Sequence, residues 1–314
     1  MITLRKFALE NKKIRKIIVE RNHSTSGAYP EIKEKTIDIE DVFRKKNPKL
    51  YRRTPRFILR WMERLVKLDE INRIINIYAD DDPIAFSKHI LEYFKVDMEV
   101  VGEQNIEQSG RLIVASNHPL GGLDGVALLS IIGEQYPDVV FPVNDILLFI
   151  PQFRATFIPI NKHGSNVSNL KDIHNYFSSE NPVLYFPEGL CSRKRRGKIS
   201  DWNWRKTFIM MAVKHQRYIV PTHFEGKNSR FFYNLSNFRK KLGIKANIEM
   251  ILLPREMFHQ KGKFLKAVFA KPVPCTFFDE RYKPTEWAEL MRKFVYTIKT
   301  GEESFETFVN KITG

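Results

Sequence analysis

Cysteine is nearly missing from this sequence: Cys191 and Cys275 are the only two in 314 residues, far apart and in no metal-ligand spacing. That excludes a disulfide framework and a zinc ribbon, predicts no bound metal, and fits a reducing compartment. Long apolar runs are missing as well. The opening MITLRKFALENKKIRKIIVERN interrupts each apolar stretch with charge before it can act as a secretory signal. No window approaches the roughly 18 apolar residues of a spanning helix. The expectation is a cytoplasmic chain that is not integral to a membrane. With 15 Gly and 16 Pro there is no collagenous or linker-like bias, and no repeat at solenoid period is found.

What is present is apolar content and positive charge. Hydrophobic residues make up 43%, enough for a sizeable core in one large or two ordinary domains. Lys and Arg number 52 against 36 Asp and Glu, a formal net charge of +16. Such an excess suggests a polyanionic partner, nucleic acid or the anionic face of a membrane, and equally fits a well-solvated basic surface; charge alone does not choose.

Texture divides the chain into a mainly helical segment, residues 1–95, and an α/β domain, residues 96–314. In the first, Thr54-Pro55 opens a helix over 54–68 as N-cap and first helical residue. Ile58, Trp61, Met62, Leu65 and Leu68 form one stripe, with Arg53, Arg56, Arg60, Arg64 and Lys67 on another flank. Such a helix suits a lipid interface, or packs its stripe on the next domain. In the second, short apolar runs predict strands at 111–116, 138–143, 155–160, 182–187, 218–223, 247–253 and 266–271. Helices are predicted at 124–134, 167–178, 204–215 and 285–299. This alternation implies a mostly parallel central sheet covered by helices on both faces, with ligands beyond the carboxyl ends of its strands.

Four stretches stand at such ends. NHPLGGLDG, residues 117–125, puts His118 and Asp124 on either side of a turn built on Gly121 and Gly122. A carboxylate bonded to one imidazole nitrogen leaves the other as a general base for a hydroxyl or amine. The alternative makes Asp124 only the N-cap of helix 124–134 and His118 a loop residue. FPEGLCSRKRRGK, residues 186–198, sets Glu188 and Gly189 at a turn followed by a basic run that includes Arg193. By itself that run reads as readily as solvated surface or a nucleic-acid patch. FIPINKHG (157–164) and IVPTHFEGKN (219–228) each fit an ordinary strand exit.

The order of the four resembles the glycerolipid and lysophospholipid (PlsC-like) acyltransferase family over about residues 100–275. The matching blocks are NHPLGGLD, INK, FPEG with SRK, and IVP. The resemblance implies that His118 is the catalytic base and Asp124 its partner. Asn161, Lys162, Glu188, Gly189 and Arg193 would bind the acceptor, and Pro221 belongs to the fourth block. Two departures stand out. Five residues separate His118 from Asp124 where the family has four, so Gly121-Gly122 must absorb one. Lys162 replaces an arginine, which removes a bidentate fork for phosphate. The wording NHPLGGLDG, PVND, FIPINKHG, GLCSRK and EGKNSRFFY is similar to a bacterial branch associated with glycine and ornithine lipids, in which the hydroxyl of an N-(3-hydroxyacyl) amino acid is esterified.

The implied activity is O-acyl transfer from a thioester, acyl-ACP or acyl-CoA, to a lipid acceptor with an anionic headgroup. No bound cofactor is needed. The implied partners are an acyl carrier protein or coenzyme A thioester, the lipid acceptor and an anionic membrane surface at the inner face of the cell membrane. Two rivals remain at this point: a basic nucleic-acid-binding module without catalysis, using RKRRGK, Trp202 and Trp204, and a hydrolase passing the acyl group to water.

Overall fold

The computed structural model describes residues 15–17, 36–46, 48–106, 111–143, 145–159 and 174–313. Among the described residues the strands are β1 Arg15–Ile17, β2 Asp97–Val101, β3 Leu112–Ser116, β4 Phe141–Val143, β5 Phe157–Pro159, β6 Val183–Tyr185, β7 Arg193–Arg195, β8 Lys198–Ser200, β9 Tyr218–Glu225 and β10 Phe264–Phe269. The helices are α1 Ile39–Lys46, α2 Pro48–Arg53, α3 Arg56–Val66, α4 Leu68–Ile77, α5 Pro83–Tyr93, α6 Leu123–Gly133, α7 Thr207–Lys214, α8 Arg230–Lys241, α9 Leu253–Phe258, α10 Pro284–Val295 and α11 Phe305–Thr313.

The main sheet has the order β1-β2-β10-β9-β3-β6. β3 lies between β6 and β9 and is parallel to both, with Ala115 opposite Tyr185 on one side and Pro221 on the other. A parallel bridge from Val140 to Val183 sets β4 beside β6, and β5 continues parallel to β4. β10 turns antiparallel to β9. The arrangement is the expected α/β one. Its cause is visible in β3, LIVAS, a continuous apolar run in which all five residues are buried, as a strand covered on both faces requires. α6 is buried along its whole length and has no polar face to offer water.

Two cores flank the sheet. One joins Ile74, Phe86, Ile90, Val114, Leu128 and Phe141; the other joins Ile113, Phe208, Val268, Trp287 and Phe294. The first contains α4 and α5 as well as β3 and α6, so the division at residue 95 is one of sequence texture and not of packing. β1 likewise pairs with β2.

Three further expectations change. The apolar run 247–253 is not a strand but a 3₁₀ turn, Ile248–Leu252, leading into α9. Its buried residues, Glu249, Leu252, Leu253 and Glu256, recur every three or four positions, a helical spacing that alternation cannot satisfy. Helix 54–68 begins later and ends earlier, at α3. Pro55 and not Thr54 is its N-cap, and Lys67 closes it in the left-handed region. Its apolar residues are split. Leu59, Met62 and Val66 pack inward, while Phe57 and Trp61 are 69% and 59% exposed. Of the predicted helix 167–178, residues 174–178 are helical, and the rest lies outside the described residues.

Candidate active site

Parallel pairing of β3 and β6 brings the segments that leave them, 117–124 and 186–192, to one sheet edge although about seventy residues separate them in sequence. Asn117 holds the first. Its amide donates to Phe224 O and accepts from Phe224 N, at 2.9 and 2.7 Å, extending the attachment of β3 to β9 through a side chain. His118 O then accepts from Ser192 N at 2.7 Å, and the His118 ring stacks on Phe186 with centroids 3.9 Å apart. The histidine block and the Phe-Pro-Glu-Gly block are thus one site.

His118 Nδ1 lies 3.0 Å from Asp124 Oδ2. The extra residue between them is absorbed at Gly121, whose φ of +79° is in the left-handed region; a Cβ there would also fall 2.8 Å from the Cys191 Cβ and from Leu253. Asp124 is fully buried. Its carboxylate accepts from the backbone N–H groups of Leu120, Gly121, Gly122 and Gly125 as well as from the imidazole. Burial alone would raise its pKa, but the imidazole charge, the histidine bond and the backbone donors outweigh it and hold the carboxyl below the ordinary range. Asp124 is not the N-cap, which is Gly122; it lies in the first turn of α6, where it ties up N–H groups at the helix start and orients His118. The N–H groups of Gly121 and Gly122 are committed to Asp124, so they do not face a substrate oxyanion.

With Nδ1 engaged by a carboxylate, Nε2 is the free face of a side chain that is 15% exposed. An imidazole so held accepts a proton at Nε2 while its carboxylate partner stabilises the cation that forms.

Glu188 and Gly189 form the turn after β6. Gly189 has φ of +67°, and its N–H donates to Phe186 O at 3.0 Å. Glu188 Oε2 accepts from Trp202 N and Asn203 N at 3.0 and 2.5 Å. Burial, with the Asp201 charge adding to it, raises its pKa against the pull of these donors. Glu188 thereby fixes the 201–204 stretch beside the histidine. Arg193, expected near the acceptor, is turned into the protein. It is 6% exposed and bonds Glu249 Oε1 through Nε and Nη2 at 3.2 and 3.0 Å, and the Cys191 carbonyl through Nη1 at 2.6 Å. Glu249 also pairs with Arg239 at 2.7 Å, completing a buried Arg–Glu–Arg group. Asn161 and Lys162 lie outside the described residues.

The basic run is a hairpin, β7–β8, whose turn has Arg196 and Gly197 both at positive φ, as a two-residue connection of this hand requires. Trp204 is buried with its Nε1 bonded to Asp201, and Trp202 carries the Arg195 guanidinium on its ring, so neither ring is a free stacking platform. Burial pushes the Cys191 thiol up to about 12, which makes it a packed residue and not a nucleophile.

Sequence reading missed Asp201. It is fully buried, accepts from Ser192 Oγ at 2.5 Å and Trp204 Nε1 at 2.9 Å, and has a longer contact, 3.4 Å, with His118 N. Burial raises its pKa beyond what these donors and the His118 charge restore. No motif spacing flags it.

A family model described as acyltransferase matches residues 41–304. The chain belongs to the acyltransferase family. Two relatives are each 39% identical over 264 residues, 83% of this acyltransferase: lyso-glycine lipid O-acyltransferases of Bacteroides thetaiotaomicron and Phocaeicola vulgatus, covered over 97% and 95% of their lengths. A crystal structure of the 1-acyl-sn-glycerophosphate acyltransferase PlsC from Thermotoga maritima superposes with a TM-score of 0.46 at 15% identity, covering 79% of this chain and 91% of that one. The family match and the two O-acyltransferase relatives make the chain an enzyme of lipid acyl transfer, and the reading as a non-catalytic nucleic-acid binder falls with them.

Proposed function

We propose that this acyltransferase esterifies the hydroxyl of a lyso-glycine lipid, an N-(3-hydroxyacyl)glycine, with the acyl group of an acyl-ACP or acyl-CoA thioester. The observation that carries the reading is the 39% identity to two lyso-glycine lipid O-acyltransferases across nearly their full lengths. His118 Nε2 takes the proton of the acceptor hydroxyl as its oxygen attacks the thioester carbonyl. The tetrahedral oxyanion then collapses, breaking the carbon–sulfur bond, and the imidazolium returns its proton to the departing thiolate. No acyl-enzyme forms, in keeping with the buried Cys191. Lys162, with Asn161, is assigned to the acceptor carboxylate, a single-atom cation sufficing where no bidentate phosphate contact is demanded. Glu188 and Gly189 shape the wall of that subsite, and Arg193 contributes by holding the Cys191–Ser192 backbone.

The same reading places the enzyme at the inner face of the cell membrane, peripherally. Exposed Phe57 and Trp61 on α3, with exposed Arg56, Arg60 and Arg64 beside them, suit insertion among headgroups. The test offers the purified enzyme an acyl thioester with an equimolar mixture of N-(3-hydroxyacyl)glycine and lysophosphatidate, and resolves products by mass spectrometry. The doubly acylated glycine lipid is expected to dominate. Preferential formation of phosphatidate overturns the acceptor assignment, and release of free fatty acid alone would make the protein a hydrolase.

A further inference from the structure

α8 and the segment after it form a face that the catalytic chemistry leaves unused. Phe231, Phe238 and Leu242 recur at intervals of seven and four, one side of a helix, and are 54%, 58% and 58% exposed. The opposite side, Phe232, Tyr233, Ser236 and Arg239, is buried. Residues 240–248 are all exposed, so Ile244 and Ile248 stand in solvent on the loop that follows. From Ser229 to Ile248 the sequence carries Arg230, Arg239, Lys240, Lys241 and Lys245 and no acidic residue. The first acid beyond, Glu249, is buried against Arg193 and Arg239.

This face adjoins α3. Leu65 of α3, Leu235 of α8 and Met250 pack on one small core made by Phe232, Tyr233, Leu252 and Leu253. The start of α8 is also tied to the catalytic turn: Asn228 Nδ2 donates to Leu120 O at 3.2 Å, and Ser229 caps the helix by accepting from Phe232 N.

We infer that α8 and residues 242–251 are a second membrane foothold, which inserts Phe238, Leu242 and Ile244 among the acyl chains of an anionic bilayer while Lys240, Lys241 and Lys245 meet its headgroups. Charge decides the occupant. A second copy docked face to face would set these cations against their own equivalents, whereas an anionic lipid surface neutralises them. Apolar side chains interspersed with cations on a protruding loop are the composition that interfacial insertion uses. Two footholds joined through the small core hold the His118 turn at a fixed height above the bilayer, within reach of an acceptor whose tail stays in the lipid.

The inference rests on the proposal that the enzyme works at a membrane surface, and the test separates the two. Flotation with vesicles of equimolar phosphatidylglycerol and phosphatidylcholine compares the wild type with Phe238→Asp/Leu242→Asp and with Phe57→Asp/Trp61→Asp, all checked for unchanged thermal melting. The α8 pair is expected to lower vesicle partitioning at least about tenfold, since it removes two insertable side chains and adds two negative charges. If that variant floats like wild type while the α3 pair is lost, the second foothold is overturned and the first stands. Should the α8 pair alone be lost, the reverse holds. A wild type that does not float overturns both. Independently of any loss, an environment-sensitive dye on Leu242→Cys in a Cys275→Ser background is expected to shift blue on vesicle binding, and an unshifted dye on vesicle-bound protein contradicts the inference. Vesicle-free sedimentation showing a dimer that Phe238→Asp/Leu242→Asp makes monomeric would also overturn it, assigning the face to a second copy.

Discussion

Two fully buried aspartates contact His118, Asp124 at the ring and Asp201 at the backbone, and apart from burial they have little in common. On the α6 side Asp124 collects four backbone donors and the imidazole, and its carboxyl is held below the usual range. On the hairpin side Asp201 has a hydroxyl, an indole and one long backbone contact, and burial raises it. Both are equally deep, so the imidazole charge and the backbone donors around Asp124 account for the opposite directions. The lowered carboxyl is the one that bonds the ring nitrogen, while Asp201 meets the His118 backbone.

The largest break in that contrast is expected from Asp124→Ala. It orphans buried N–H groups and a histidine partner together, and denaturant unfolding should show a loss of about 3–5 kcal/mol. The milder Asp124→Asn sharpens it through pH. A depressed carboxyl contributes stability that is complete above its ordinary value of about 3.9 and is lost as pH falls through the lower folded value. The gap between wild type and Asp124→Asn should therefore be wide at neutral pH and close in acid.

Next comes Glu249→Met, which leaves Arg193 and Arg239 buried without counter-charge and loosens the Cys191–Ser192 backbone on the hairpin side. Unfolding measurements should show about 3 kcal/mol lost, and a change under about 1 kcal/mol would mean that the triad does not hold that side.

The smallest effect belongs to Asp201→Asn, about 1 kcal/mol at neutral pH. Its pH dependence should run the other way. A raised carboxyl contributes stability that is present below its ordinary value and lost as pH rises through the folded value, so wild type should gain on the variant as pH falls. If both aspartates show the same slope, the contrast between the two sides is wrong.

Much of this was legible in sequence where one physical demand dominates. β3 reads as a covered strand because its apolar run is continuous, and His118 with Asp124 reads as a pair only through the order of the four blocks, since the glycine turn alone fits a helix N-cap as well. Arg193 was expected at the acceptor because the resemblance sets a cation there, and nothing local reveals its buried partner Glu249, 56 residues further on. The stretch 247–253 imitated a strand because its apolar residues are dense; only burial shows that the inward positions, Glu249, Leu252, Leu253 and Glu256, recur at helical spacing. Asp201 carried no local signal, since its role comes from Ser192 and Trp204 being folded against it. The double-sided character of α3 was hidden for the same reason: which apolar residues face inward depends on neighbours that a single helix does not reveal.

The most direct test of the account is the initial rate of acyl transfer from an acyl thioester to N-(3-hydroxyacyl)glycine by His118→Ala, beside its melting temperature. The account predicts a rate lower by roughly two to four orders of magnitude in a protein that melts close to the wild type. An undiminished rate in a folded variant would contradict it.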